Sequence, residues 1–328
     1  LSRIEDDKYM WLDKVTLKNL ELVSPSQEDS ITLKSVIDQT VTPMGSRLMS
    51  KWILNPLLNK KDICDRQEDV KAFLLNETVR ESVFNSISEI SDIERISSKI
   101  ALQRASPREL LFLKKSLISA EDLKLQLKNS KEKVFNSWSS EVPDSKKIIS
   151  KIGSAIHEEA SMLSSGKVIK DGYSTELDKF RKISNTGKDI LLKIQNEEIE
   201  RTGITSLKVA YNKVFGYYLE VTNAHKDKVP ENWIRKQTLV NAERYITEEL
   251  KKYEESILTA DEKINEIEKV LFFQVLNDLS ENILAIQKIS KSIAFLDSVL
   301  SFANLACSSN LSEPEITEEK VIDIKKGR

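Results

Sequence analysis

Between Arg201 and Arg244 the chain sets eight basic residues against four acidic ones, several of them beside amide and aromatic side chains. Lys213 falls near Gly216, the natural bend between two alternating runs, and Arg235, Lys236 and Gln237 follow Trp233. Ammonium, guanidinium and amide donors grouped in this way suit the oxygens of a sugar-phosphate backbone. Taken alone, such a charge surplus is more often a solvated face. No other chemistry assembles from the sequence. His157 and His225 have no partner at metal-ligand or triad spacing. Glu197, Glu198 and Glu200 lie close together in a helical stretch with basic neighbours and read as a solvated face. Cys64 and Cys307 stand far apart without a CxxC pattern, which predicts buried free thiols in a reducing compartment. The phosphate-cradling pattern G-x-x-x-x-G-K-[ST] does not occur.

The elements that must position the basic group are two long helices and a small sheet. Residues 207–222 alternate like a strand pair, rich in aromatic and β-branched side chains, with Gly216 as the bend. One of Tyr217 and Tyr218 should face inward, so sheet core is favoured over stacking on a ligand. Before the insert, Ser174 to about Glu200 carries Leu177, Phe180, Ile183, Ile190, Leu191, Ile194 and Ile199 at helical spacing. After it, Glu248 to about Leu279 does the same with Leu250, Ile257, Ile264, Ile267, Val270, Leu271 and Leu276. At about 1.5 Å per residue these arms reach roughly 40 and 48 Å and can lie antiparallel, which would hold the insert tens of ångströms from the main core. A helix from Ile283 to about Leu305 should return to the body.

The rest reads as helices too. Thr42 can cap and Pro43 can open a short buried helix, and Ser106 with Glu109 forms a capping-box pattern at Pro107. Asp62 to Leu75 and Ser91 to Leu102 have helical spacing, and Val321 to Ile324 alternate like the start of a strand. Arg47 and Arg108, near helix starts, should make structural hydrogen bonds. Only 8 Gly and 7 Pro interrupt the 328 residues, well below the average share of about 12%. The net charge of -2 confines any nucleic-acid contact to a local patch. No apolar run approaches membrane length and no signal peptide is visible, so a cytoplasmic protein without a membrane partner is expected.

Several stretches together resemble the MutS family of DNA mismatch repair ATPases. They are Arg201 to Ile204, Leu207 to Val209, Phe215 to Tyr218, Arg235 to Leu239 and Asn241 to Tyr245. Leu12, Asp13, Thr16 and Asn19 to Leu22 are similar to the entry of that family's core domain. Asp38, Thr40, Thr42 to Leu48 and Trp52 match its signature helix start, and Asp92, Glu94, Arg95, Ala105, Pro107, Arg108 and Leu110 continue the match. The resemblance implies a mainly α fold: a helical core or lever domain whose two long antiparallel arms carry a small β-containing clamp domain. It divides the chain into a first core part (1–196), the clamp (197–250), a returning core part (251–310) and a linker (311–328) into an ATPase domain, both ends having been cut from something longer.

By the same resemblance, Asn212, Lys213, Arg235, Lys236, Gln237, Asn241 and Arg244 are the candidates for nonspecific contact with the backbone of duplex DNA. Arg244 could instead brace the clamp through Glu243 or Glu248. ATP and Mg would belong to the ATPase domain of the parent protein, not to this piece, and no cofactor or metal is expected here. The implied partners are duplex DNA, a second MutS subunit and, for the whole protein, a MutL-like protein. A different class of reading remains open, a helical scaffold whose insert docks another protein through its aromatics.

Overall fold

The computed structural model describes residues 8–27, 30–128, 130, 132–161, 167–212, 214 and 216–325. In chain order they form α1 (Lys14–Asn19), α2 (Leu33–Ile37), α3 (Pro43–Leu54), α4 (Lys60–Leu75), α5 (Glu77–Ser88), α6 (Ile93–Ala101), α7 (Pro107–Lys128), α8 (Lys133–Glu141), α9 (Lys146–Ala155) and α10 (Thr175–Thr202). Strands β1 (Lys208–Asn212) and β2 (Gly216–Thr222), a 3-10 turn (Asn223–Lys228), and strands β3 (Ile234–Thr238) and β4 (Ala242–Ile246) follow. Then come α11 (Glu248–Ser280) and α12 (Ile283–Ser309). The protein is mainly α with one small antiparallel sheet. It divides into two compact units, Leu1–Gly153 with Val275–Arg328, and Ser154–Gln274.

The first unit is built around α12, which packs on α3, α4, α5 and α6. Ile286, Ile293, Leu296 and Val299 on one side and Ala294, Ser298 and Leu305 on another are buried, so more than one face of α12 is covered, as expected of a central helix rather than an amphipathic one. The start of α3 depends on it. Thr42 Oγ1 accepts the Gly45 N–H at 3.0 Å, and Pro43 occupies the first turn, where its missing N–H costs nothing. Asp297 of α12 completes the cap, accepting from Val41 N at 3.0 Å, Thr42 N at 2.8 Å and Thr42 Oγ1 at 2.6 Å. Gly45 lets the two helices approach, since a Cβ there would stand 2.2 Å from Asp297 Oδ2. At α7, Ser106 and Glu109 exchange the expected reciprocal bonds at 3.3 and 2.8 Å.

Arg47 grips Asp92 at 2.7 Å and Glu94 at 2.5 Å, the structural role expected of it. Arg108 lies instead over the Phe112 ring, 5.3 Å from its centre. Three other expectations need correction. Residues 321–324 form no strand: the Val321 N–H bonds back to Glu319 O, and Ile322 is almost fully exposed with no strand beside it among the described residues. Alternation needs a partner edge before it becomes a strand. Nor are the thiols buried, for Cys64 is half-buried and Cys307 exposed at the end of α12. The insert contains four strands where sequence alternation marked two.

In the second unit, α10 and the first part of α11 run antiparallel. Arg181 meets Glu268 at 2.6 Å, Ser184 Oγ donates to Asp261 Oδ1 at 2.6 Å, and Gly187 faces Ile257, so one index falls as the other rises. At about 1.5 Å per residue the two helices are roughly 42 and 50 Å long. Ser174 caps α10 and Gly203, at φ +67°, ends it, donating its N–H to Ile199 O. Gly187 sits in mid-helix because the helices touch there: a Cβ would come 2.4 Å from Ile257 Cγ1. Gly187→Ala is therefore expected to destabilise the unit by about 1–2 kcal/mol, the crowding outweighing the helix propensity gained. Urea unfolding checks it, and a net gain in stability would show that the helices separate without cost.

Candidate nucleic-acid interface

The sheet order is β1-β2-β4-β3, antiparallel throughout. Alternation gives it two unlike faces. Leu219, Val221 and Tyr245 point to one face, where Leu191, Ile204, Leu207, Trp233, Leu250 and Ile257 complete a buried cluster with residues of α10 and α11. The sheet thus lies on the ends of the two helices. Val209 N donates to Gln195 Oε1 at 2.8 Å and Tyr217 N to Glu254 Oε1 at 3.2 Å. Glu254 is six residues inside α11, so the β1–β2 turn lies about 9 Å back from that helix's first residue. The start of β2 thus lies alongside α11 rather than beyond its end, and Lys213, expected near this turn, lies outside the described residues.

The opposite end of the sheet is the outer one. There the start of β1, the end of β2, the 3-10 turn and the β3–β4 turn meet. Asn223 N donates to Asn241 O at 3.2 Å, its Nδ2 to Val240 O at 2.8 Å, and Ser206 and Thr222 share a hydroxyl hydrogen bond at 3.0 Å. Lys208, Lys226 and Lys228 are exposed on these segments. Lys236 is exposed on the edge strand β3, at the irregularity that breaks the register between Arg235 and Gln237. Among the described residues no ion pair engages Lys208, Lys228 or Lys236.

The remaining candidates divide. Asn241 is exposed in the β3–β4 turn. Asn212 is half-buried, and its Oδ1 accepts the Val214 N–H at 2.8 Å and so serves the β1–β2 turn. Arg244 is largely enclosed: its Nε donates to Glu220 at 3.1 Å, its Nη1 to Gln237 at 2.8 Å, and its guanidinium lies 4.4 Å from the Tyr218 ring centre. The brace considered for Arg244 therefore exists, with Glu220 and Gln237 as partners in place of Glu243 or Glu248. Gln237 gives its Oε1 as the acceptor of that bond. Arg235 reaches Glu243 at 3.3 Å with most of its side chain in solvent.

Tyr218 is buried beneath Arg244, while Tyr217 packs on Tyr211, ring centres 5.0 Å apart, against the helix-facing cluster. Burial raises the Tyr217 phenol above its ordinary range, with Asp261 adding to it. Trp233 fills the same cluster 5.8 Å from Tyr245. The aromatics next to the cations are thus sheet core.

Sequence reasoning counted Lys208, Lys226 and Lys228 in the charge surplus without singling them out. The polar run Asn223 to Lys228, following a strand with no apolar alternation of its own, is the signal that marks an exposed turn there. His157 accepts the Glu159 N–H through Nδ1 at 3.2 Å, a loop contact. Among the described residues no group of three or more His, Cys, Asp or Glu side chains could hold a metal ion, and no helix is long and apolar enough to cross a membrane.

A family model described as MutS domain III matches residues 15–303. The chain is 47% identical over 329 residues to the DNA mismatch repair protein MutS of Bacteroides fragilis (strain YCH46), covering 100% of this chain and 38% of that protein. It is 44% identical over 329 residues to the protein of the same name from Cytophaga hutchinsonii, with the same coverage. The Flavobacterium johnsoniae protein of that name is 43% identical over 329 residues, again covering 100% and 38%. The chain spans well under half the length of the curated relatives it matches.

Proposed function

This chain belongs to the MutS family, as its domain III, and on that premise we propose that it is the lever and clamp portion of a mismatch repair protein, gripping duplex DNA by its backbone. The observation that carries the reading is the outer end of the sheet and its β3 edge, where Lys208, Lys228 and Lys236 stand exposed and no ion pair engages them among the described residues. Ammonium groups that touch phosphates hold a duplex without reading its sequence, so they permit sliding. The antiparallel helices α10 and α11 form the stiff support, and a second subunit would close the grip from the other side.

In the parent protein, ATP hydrolysis and a MutL-like partner would act through parts outside this chain, and the protein would work in the cytoplasm on the chromosome. The residues here do not fit a nucleotide or its Mg ion. There is no Gly-rich Lys loop, and no suitable acidic cluster occurs among the described residues. No chemical step is assigned to this chain.

The test is the salt dependence of binding. Replacing Lys208, Lys228 and Lys236 together by Ala should weaken duplex binding and flatten the slope of log K against log salt by about 0.9 for each phosphate no longer neutralised. An unchanged slope would remove these lysines from the interface. A second reading, a protein-docking insert, is favoured by the exposed apolar residues Val214, Ile234 and Val240. Excess nonspecific duplex should displace a DNA clamp's ligand and leave a protein complex intact.

A further inference from the structure

One exposed cation of the insert is already engaged by the protein itself. Arg235 keeps 61% of its side-chain surface in solvent, yet its Nη1 meets Glu243 Oε1 at 3.3 Å. The other oxygen, Oε2, accepts the Tyr245 hydroxyl, which fixes the carboxylate in place. That bond is foremost in holding the Glu243 carboxyl below its ordinary range, with Arg235 and Lys226 adding to it. Conversely, burial and the bond to Glu243 push the Tyr245 phenol up to about 12. One exposed guanidinium therefore meets an anchored, nearly buried carboxylate of β4, with Lys226 adding positive charge nearby. Arg244 and Glu220 differ, because Arg244 is only 18% exposed in its side chain and remains inside the sheet.

A carboxylate accepting from a guanidinium is chemically close to a phosphate oxygen pair doing so. We propose that Glu243 is a built-in substitute for a backbone phosphate, holding Arg235 out of the duplex contact until a phosphate displaces it. The inference rests on the backbone-binding reading above and deepens it. Glu243 is a positioning residue that sets how many phosphates the insert neutralises, and so how salt-sensitive and how tight its nonspecific grip becomes. Restraint of this kind favours sliding over static binding.

The experiment is a double-mutant cycle on the full chain with a random-sequence duplex, repeated over a range of salt. With Glu243 present, Arg235→Gln should weaken binding less than about twofold. In the Glu243→Gln background the same change should weaken it about fivefold or more, and Glu243→Gln alone should steepen the salt slope by about 0.9, one further phosphate neutralised. Glu231→Gln, removing an exposed acid elsewhere in the insert, controls for net charge: it should leave the Arg235 effect small. Tyr245→Phe loosens the carboxylate without changing any charge and should enlarge the Arg235 effect in the same direction. That variant also serves should Glu243→Gln fail to fold, which thermal unfolding reports. Equal Arg235 effects in both backgrounds, with duplex still bound, overturn this inference alone. If none of the proteins binds duplex even at about 50 mM salt, the backbone-binding reading falls and this inference falls with it.

Discussion

Asp297→Ala should destabilise the first unit by about 3 kcal/mol, because it strips a buried acceptor from three donors at once. Asp297 is 1% exposed and receives Val41 N, Thr42 N and Thr42 Oγ1, all at the start of α3. Each orphaned donor costs about 1–3 kcal/mol, and the helix N-terminus loses an anion worth up to about 2 kcal/mol. Against this, the variant is relieved of a buried charge. The net loss remains because alanine supplies no acceptor.

The pH dependence has a definite sign. Burial raises the Asp297 pKa, so the native state binds a proton more readily than the unfolded chain. Stability from this group therefore falls as pH rises from the ordinary carboxylate value through the raised one. That component should vanish in the variant. Denaturant unfolding at several pH values, with hydrogen exchange at Val41 and Thr42, checks both points, and a loss below about 1 kcal/mol would show that water replaces the carboxylate.

Glu268→Ala should cost the second unit about 3–5 kcal/mol, the range for breaking one side of a buried ion pair. Glu268 is fully buried on α11. Its Oε1 accepts from Val168 N at 3.0 Å, Ile169 N at 3.3 Å and Arg181 Nη2 at 2.6 Å. The substitution would leave Arg181, 16% exposed in its side chain, with the largely solvated Asp171 as its carboxylate partner. Replacing both members of the pair by apolar residues of similar size should cost much less, since the penalty lies in the stranded charge. Loss of amide protection at Val168 and Ile169 before global unfolding would locate the damage at this junction. A change confined to the sheet would refute it. Because this contact fixes how α10 and α11 lie together, the variant should also loosen the support beneath the sheet.

The long helices were legible because their apolar residues recur over seven or more turns without a proline, and caps such as Thr42 and Ser106 announce themselves by type and spacing. Short helices were not: α1 and α2 span 6 and 5 residues, too few to show a period, and are held by the local caps Asp13 and Thr32. β3 was hidden because its residues, Ile234 to Thr238, are mostly exposed and alternate weakly at a sheet edge. Of the candidate cations, the sequence did not single out Lys236 as solvent-facing, and it is exposed on β3. Arg235 and Arg244 could not be told apart, since their carboxylates, Glu243 and Glu220, lie 8 and 24 residues away and reach them only through strand pairing.

Periodicity and composition by themselves determined a mainly helical chain with two long arms and a small alternating insert, and the ordered motifs determined its family. Helix period and capping act between neighbours along the chain, so they are written in local order. Only the tertiary structure decided which cations meet solvent and which are neutralised within the sheet, and that the start of β2 lies alongside α11. Those outcomes depend on register and on side chains brought together across the sheet, distances that one-dimensional order does not encode.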